Sequence, residues 1–291
     1  MPDFDLSFLT PPAEAHDPSH HESSRRGLLR FVEETRETIA SLRPGENSAV
    51  NQVEVQPGGK IFATISDAIA SITDASQKMQ YVCYIGPGTY NERVVCKSWV
   101  FLAGSGADQT VIAAPAAKDK TLNGTVFAAA NSAIQDMAVT STGSGPKTLA
   151  TGVVCNSVKN FDIENCEITS LDPTGTATAL PVAVDFAPGA ASSVVYMAYS
   201  KATVIASQAE TDALGVFAAN YSFLQLTSCR VIVPTPGGWG GAAAFQSQLT
   251  VDTSYVEGAE YSLKTIDTLG TIVANQCTLV GPVTGNVTVN P

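Results

Sequence analysis

The sequence predicts an all-β protein, a single-stranded right-handed parallel β-helix with an N-terminal α-helical cap. Three observations carry this. Charged residues make up only 15% of the chain, hydrophobic residues 44%, and there are 23 glycines, a balance suited to many short strands and tight turns. From Asn51 to the C-terminus, short apolar runs alternate with turn residues. Those runs also recur in phase. Gly152-Val153-Val154-Cys155-Asn156-Ser157 leads to Phe161-Asp162-Ile163-Glu164-Asn165-Cys166, and Gly215-Val216-Phe217-Ala218-Ala219-Asn220 leads to Phe223-Leu224-Gln225-Leu226-Thr227-Ser228-Cys229. Val153 to Cys166 and Val216 to Cys229 are both 13 positions, and weaker versions begin near Val126, Val182, Ala244 and Leu263. Such a coil cannot bury its own inner face, so stacking supplies the core. A β-sandwich has short strands too, but it lacks this phasing.

Three regions follow in order. Residues 1–22 are rich in Pro, His, Asp and Ser without periodicity and predict a disordered or extended tail. Residues 23–50 predict an amphipathic helix and linker. Leu28, Phe31, Val32, Ile39 and Leu42 fall near one helical face, and Arg43-Pro44-Gly45 ends it. This helix is expected to cap the open end of the barrel, whose edge must be covered; the other reading is an oligomerisation or docking arm. Residues 51–291 form the β-helix domain.

The charge distribution excludes several functions. With a net charge of -11 and a pI near 4.6, the chain repels phosphate backbones, so nucleic acid is not a partner. All three histidines (His16, His20, His21) precede the β-rich body, which therefore carries no Ser-His-Asp or Cys-His system and no histidine-rich zinc site unless the tail folds back. The six cysteines form no C-x-x-C pair. Cys166, Cys229 and Cys277 share one local context, which predicts an inward stack of free thiols, with a disulfide framework the lesser reading. Neither a metal nor an organic cofactor is called for. No bilayer-spanning segment and no leader pattern is evident, so a cytoplasmic location is expected.

The first coils carry a family resemblance. Phe62-Ala63-Thr64-Ile65-Ser66-Asp67-Ala68-Ile69 predicts a phase-setting strand running into a short helix. Tyr81-Val82-Cys83-Tyr84-Ile85 follows, then Gly88-Thr89-Tyr90-Asn91-Glu92, then Val100-Phe101-Leu102-Ala103-Gly104-Ser105-Gly106 with Thr110-Val111-Ile112. About fifty residues agree in order and spacing with the opening of the pectin methylesterases, and Gly88 to Glu92 resembles that family's G-x-Y-x-E motif. In that family one aspartate attacks the methyl ester, a second moves the proton, glutamines stabilise the oxyanion, and an arginine assists.

Carried over residue by residue, the resemblance names Asp185 as candidate nucleophile, because Val184-Asp185-Phe186-Ala187-Pro188-Gly189 resembles V-D-F-I-F-G. Asp172, in Ser170-Leu171-Asp172-Pro173, stands where Q-D-T-L would place the acid/base, without the glutamine. Pro236-Gly237-Gly238-Trp239-Gly240 keeps the tryptophan of G-R-P-W and lacks its arginine. Trp239, between glycines, is expected to be exposed as a sugar-stacking platform, with packing under a loop as the alternative. Tyr196, on the strand after Asp185, is a second candidate ligand contact. Glu92 reads as a structural turn residue and Trp99 as core, and an aspartate in a β-helix turn is most often an Asx-turn former.

Two functions remain. One is a non-catalytic β-helix of pectin methylesterase ancestry that binds a polysaccharide or protein, or assembles, including as a homo-oligomer through residues 23–42. The other is a divergent pectin-type esterase using Asp185 and Asp172. A working pair must converge on one groove.

Overall fold

Stacked coils, each contributing one strand to each of three parallel sheets, build the protein. The computed structural model describes residues 51–57, 62–116, 124–143, 145, 148–173, 177–185, 190, 192–206, 213–243 and 246–291. The predicted tail and the helix over 23–42 lie outside the described residues. Sheet I has ten strands, from Asn51–Val55 to Val287–Asn290; sheets II and III have eight each, from Gly88–Tyr90 to Thr278–Val280 and from Val94–Val95 to Val283–Thr284. One coil runs Phe161–Glu164 in sheet I, Glu167–Asp172 in sheet II and Thr178–Val184 in sheet III, then returns to sheet I at Val194–Ala198. This is the expected right-handed parallel β-helix.

Stacking builds the core in columns. In sheet I the register aligns Cys83, Leu102, Ile134, Ile163, Met197, Leu226, Val251 and Ala274, one per coil, all within the central core cluster. Each large side chain so buried contributes about 1.5–3 kcal/mol. Coils rise by about 4.8 Å, so each side chain packs against its counterparts above and below.

The corner between sheets I and II explains the cysteine pattern. Asp136, Asn165, Tyr199, Ser228, Thr253 and Gln276 all adopt left-handed backbone, with φ between 49° and 54°. That conformation costs a non-glycine residue about 1–2 kcal/mol. It is offset because the N–H groups of Asn165, Tyr199, Ser228 and Thr253 donate to carbonyls one coil on, at 2.9–3.1 Å. The next residue then turns inward: Met137, Cys166, Ser200, Cys229, Ser254 and Cys277 in succession. Cysteine and serine alternate, and the Oγ atoms of Ser200 and Ser254 accept from the Cys166 and Cys229 N–H groups at 3.0 and 2.9 Å. The thiols are free, as expected, and burial pushes Cys166 up to about 12 and Cys229 up to about 11. The stack is interleaved with hydroxyls rather than made of thiols alone.

The first coil is closed by α1 (Ile65–Ser71), whose Ile65, Ala68 and Ile69 join the core. The Thr64 hydroxyl caps it by accepting from the Asp67 N–H at 3.1 Å. Glu92 caps it from the next strand region: its carboxylate accepts from the N–H groups of Ile65 (2.8 Å) and Ser66 (3.0 Å) and from the Ser66 hydroxyl. Tyr90 donates its hydroxyl to the Gly86 carbonyl at 3.1 Å. The G-T-Y-N-E segment therefore ties helix to barrel, which makes Glu92 the structural residue expected. Trp99 departs from expectation. It sits half-buried at a left-handed corner (φ 66°) and is not among the residues of the core cluster.

Glu92→Ala removes the acceptor for two helix-terminal N–H groups. It should lower stability by about 1–3 kcal/mol, read as a reduced urea midpoint with unchanged slope.

Candidate functional site

Asp185 follows the sheet III strand Thr178–Val184 and occupies a corner with φ of 53°. Aspartate tolerates this conformation better than most residues. Its N–H donates to the Cys155 carbonyl at 2.7 Å. The side chain is fully buried and both oxygens are engaged. Oδ1 accepts from the Ser157 N–H and the Ser193 hydroxyl, and Oδ2 accepts from the Ser193 N–H, all at 2.7 Å. The Asn220 amide donates to the Asp185 carbonyl at 3.0 Å. Asp185 thus ties together residues from three successive coils. Burial pushes its carboxyl up to about 6, against the opposing pull of the Ser157 and Ser193 donors and the nearby Lys159 charge. Among the described residues, the carboxylate serves as an acceptor for three turn donors.

Asp172 ends the sheet II strand Glu167–Asp172 on the face shared with Ile168 and Ser170. It is fully buried, and Oδ2 accepts from the Ala177 N–H at 2.9 Å. The strand from Thr178 to Val184 lies between the two aspartates. That strand bends at Pro181: Ala179 and Val182 point into the core, whereas Leu180 joins an outer cluster. Gly152 and Gly215 hold the same position in adjacent coils, where an added Cβ would lie 2.4 Å from Ile168 Cγ2 and 2.3 Å from Val231 Cγ1. The seven-residue strand Thr178–Val184 runs between them, so the two aspartates stand at its opposite ends. The structure does not bring them together.

Trp239 corrects an expectation. It is 8% exposed and packs with Leu180, Leu214, Phe217 and Ala242 in an apolar layer on the outer face of sheet III. Its indole N–H donates to Glu260 Oε2 at 3.3 Å, and Tyr261 meets it edge-on with centroids 6.1 Å apart. Lys264 Nζ lies 3.8 Å from the Trp239 ring centroid and 4.4 Å from that of Tyr261. The flanking glycines allow close backbone approach, so the indole sinks into this layer and its face is occupied by a lysine. Tyr196 lies half-buried on sheet I, 5.8 Å from the Phe223 ring, and so shares no platform with Trp239.

Sequence reasoning missed Ser193, the principal partner of Asp185, and Lys264. Neither stands in a motif: Ser193 meets Asp185 through the path of the turn between them, and Lys264 meets Trp239 through coil stacking. Of the two arginines in the body, Arg93 donates to the Pro115 carbonyl and Arg230 lies 5.2 Å from the Tyr255 ring centroid. Among the described residues no three His, Cys, Asp or Glu side chains cluster as metal ligands would, and no helix is long and apolar enough to cross a membrane.

The pectinesterase family model matches residues 51–176, a stretch that includes Asp172 and stops short of Asp185, Tyr196 and Trp239. No curated protein matches the chain. Among solved structures, pectin methylesterase PemA from Erwinia chrysanthemi is similar at a TM-score of 0.54 and 16% identity, covering 82% of this chain and 81% of that one. The carrot pectin methylesterase is similar at 0.50 and 14%, covering 84% and 90%. A pectin methylesterase in complex with a hexasaccharide is similar at 0.53 and 15%, covering 82% and 81%. The likeness establishes the fold as the right-handed parallel β-helix of the pectin methylesterases.

Two consequences are measurable. Asp185→Ala leaves the Ser157 and Ser193 N–H groups without their acceptor and should cost about 2–4 kcal/mol of stability. The pH dependence has a definite sign. Asp185 rises from 3.8 to about 6 and Asp162 from 3.8 to about 7 on folding, both chiefly through burial. The folded state therefore favours the protonated forms. That stabilisation is full below about pH 4 and lost as pH rises through 6 to 7, by about 3 kcal/mol for Asp185. The melting temperature should fall from pH 4.5 to 7.5, and Asp162→Asn should flatten the fall. A rise over that interval would contradict the assignment.

Proposed function

We propose that this chain is a non-catalytic β-helix of pectin methylesterase type, which binds an extended polysaccharide along its flank. The sequestration of Asp185 carries this reading: the residue that resembles the family's nucleophile spends both carboxylate oxygens on Ser157 and Ser193. Asp172 is spent on Ala177 at the far end of a bent strand. The body has no histidine, and its two arginines are engaged away from Asp185.

The choice of a saccharide rests on the fold, which one similar protein uses to hold a hexasaccharide. Charge narrows the class. A net charge of -11 opposes a polyuronate chain, so the ligand is a neutral or heavily methyl-esterified polysaccharide. A protein partner is the second reading, and the exposed hydrophobic residues Tyr199 and Ile205 favour it locally.

Methanol release from highly methyl-esterified polygalacturonan distinguishes a scaffold from an esterase. Neither the native protein nor Asp185→Asn should release methanol above the blank between pH 4 and 9. Release by the native protein that disappears in the variant would establish an esterase centred on Asp185 and end the scaffold reading.

A further inference from the structure

Sheet II differs from the other two sheets in what it shows to solvent. Sheets I and III each bury outward residues in apolar clusters, which include Phe101 and Phe217 respectively. In sheet II, Ile168, Ala202, Val231 and Val256 belong to the core, so Glu167, Lys201, Arg230 and Tyr255 beside them point out. Register places these four in one row across successive coils, in three steps of about 4.8 Å. Glu167 and Arg230 are exposed, and Lys201 and Tyr255 are half-exposed. A second row on the same face, Thr169, Thr203, Ile232 and Glu257, is half-exposed throughout. Charge sets the first row apart. Acidic residues outnumber basic ones 27 to 16, and most of the described cations are committed elsewhere. Arg93, Lys97 and Lys159 donate to the carbonyls of Pro115, Ile72 and Ser192, and Lys264 lies over the Trp239 ring. Lys201 and Arg230 instead stand directly beside each other, strand against strand. Like charges opposed in a sheet are destabilising. Lys201 Nζ lies 3.8 Å from Glu167 Oε1, but the side chains are 41% and 55% exposed and solvent weakens the contact. Arg230 lies 5.2 Å from the Tyr255 ring centroid, and among the described residues no carboxylate is within ion-pair distance of it.

We propose that this face is the flank on which the polysaccharide lies, with one free carboxylate of an otherwise methyl-esterified uronate chain seated between Lys201 and Arg230. The site rests on the reading of the chain as a polysaccharide binder, and gives that reading a location and a ligand class. A planar guanidinium offers paired donors to a carboxylate, and the lysine ammonium adds a point charge on its other side. An anion between the two cations also removes their mutual repulsion. The acidic residues on either side set the pattern the ligand must have. Glu167 adjoins Lys201, and Glu257 is held beside Arg230 by the Tyr255 hydroxyl, which donates to its Oε2 at 2.8 Å. A second ligand carboxylate next to the first would meet one of these negative charges. The saccharide must therefore be neutral on both sides of its free uronate, which heavy esterification provides. Ile232, two positions beyond Arg230 on the same face, offers an adjoining sugar ring apolar contact.

Equilibrium binding of the full chain to three galacturonans, one fully esterified, one largely esterified and one de-esterified, tests this. The native protein should bind the largely esterified polymer best, and added salt should weaken that binding. Arg230→Glu and Lys201→Glu should each lower the affinity by about tenfold or more, whereas Arg230→Lys should keep most of it. Both side chains lie on the outer face, so the variants should melt close to the native temperature. Lys78→Glu makes the same change of net charge at an exposed position outside sheet II and should leave the affinity unchanged. Equal affinity in the native protein and both sheet II variants would overturn the site and leave the polysaccharide reading standing. So would an equal loss in Lys78→Glu, which would reduce the effect to overall charge. Tighter binding of the fully esterified or the de-esterified polymer would overturn the seat for a single carboxylate. Binding to none of the three would end the galacturonan reading, and the site with it.

Discussion

Coil-to-coil registry is the constraint on which the rest of the structure depends. Every strand hydrogen-bonds in parallel to its counterpart one coil away, and the bonding continues around the corner between sheets I and II, where Asn165, Tyr199, Ser228 and Thr253 donate to the following coil. Because registry is unbroken, a residue's chemistry is set by its column. The left-handed corner positions, the alternating Cys and Ser column beside them, and the glycine and proline column at the bend of sheet III are consequences of one repeated backbone path.

The same constraint decides what an aspartate can do. Some turn N–H groups find no strand carbonyl, and a buried carboxylate is a ready acceptor for them. Asp185 fills that position with three donors around it, and Asp172 fills a lesser version at the turn before Ala177. At Asp185 each charge-assisted bond contributes about 1.5–3 kcal/mol, which opposes the cost of burying the charge. A catalytic carboxylate needs an open face and a partner within reach. In the scaffold reading, the corners of this barrel use both aspartates as acceptors for structure.

The outer faces are not equivalent. Sheet III carries an apolar layer in which Trp239 and Tyr261 hold Lys264 between them, and sheet I carries the strip centred on Phe101 and Ala133. Outer apolar surface on a β-helix must pack against something, and on sheet III the side chains of Trp239, Tyr261 and Lys264 pack on one another. The low charge of the chain reflects this: a barrel with two partly apolar flanks has fewer outward positions to give to charged residues than a fully solvated one.

Much of the fold was legible in the sequence. Alternation and phased recurrence are local properties, so the coils, the free inward cysteines and the G-T-Y-N-E anchor could be read from Val153, Cys166, Cys229 and Glu92 without coordinates. The interleaving of Ser200 and Ser254, the Ser193 partner of Asp185, and the burial of Trp239 could not. The first and last depend on which residue of one coil lies against which residue of the next, and the second on how the chain turns in the eight positions between Asp185 and Ser193; no local pattern encodes these pairings. Sequence alone determined that the chain stacks its coils and which residues line them. Tertiary structure decided that Asp172 and Asp185 stand apart, because the strand between them must complete its part of the coil before the second aspartate is reached.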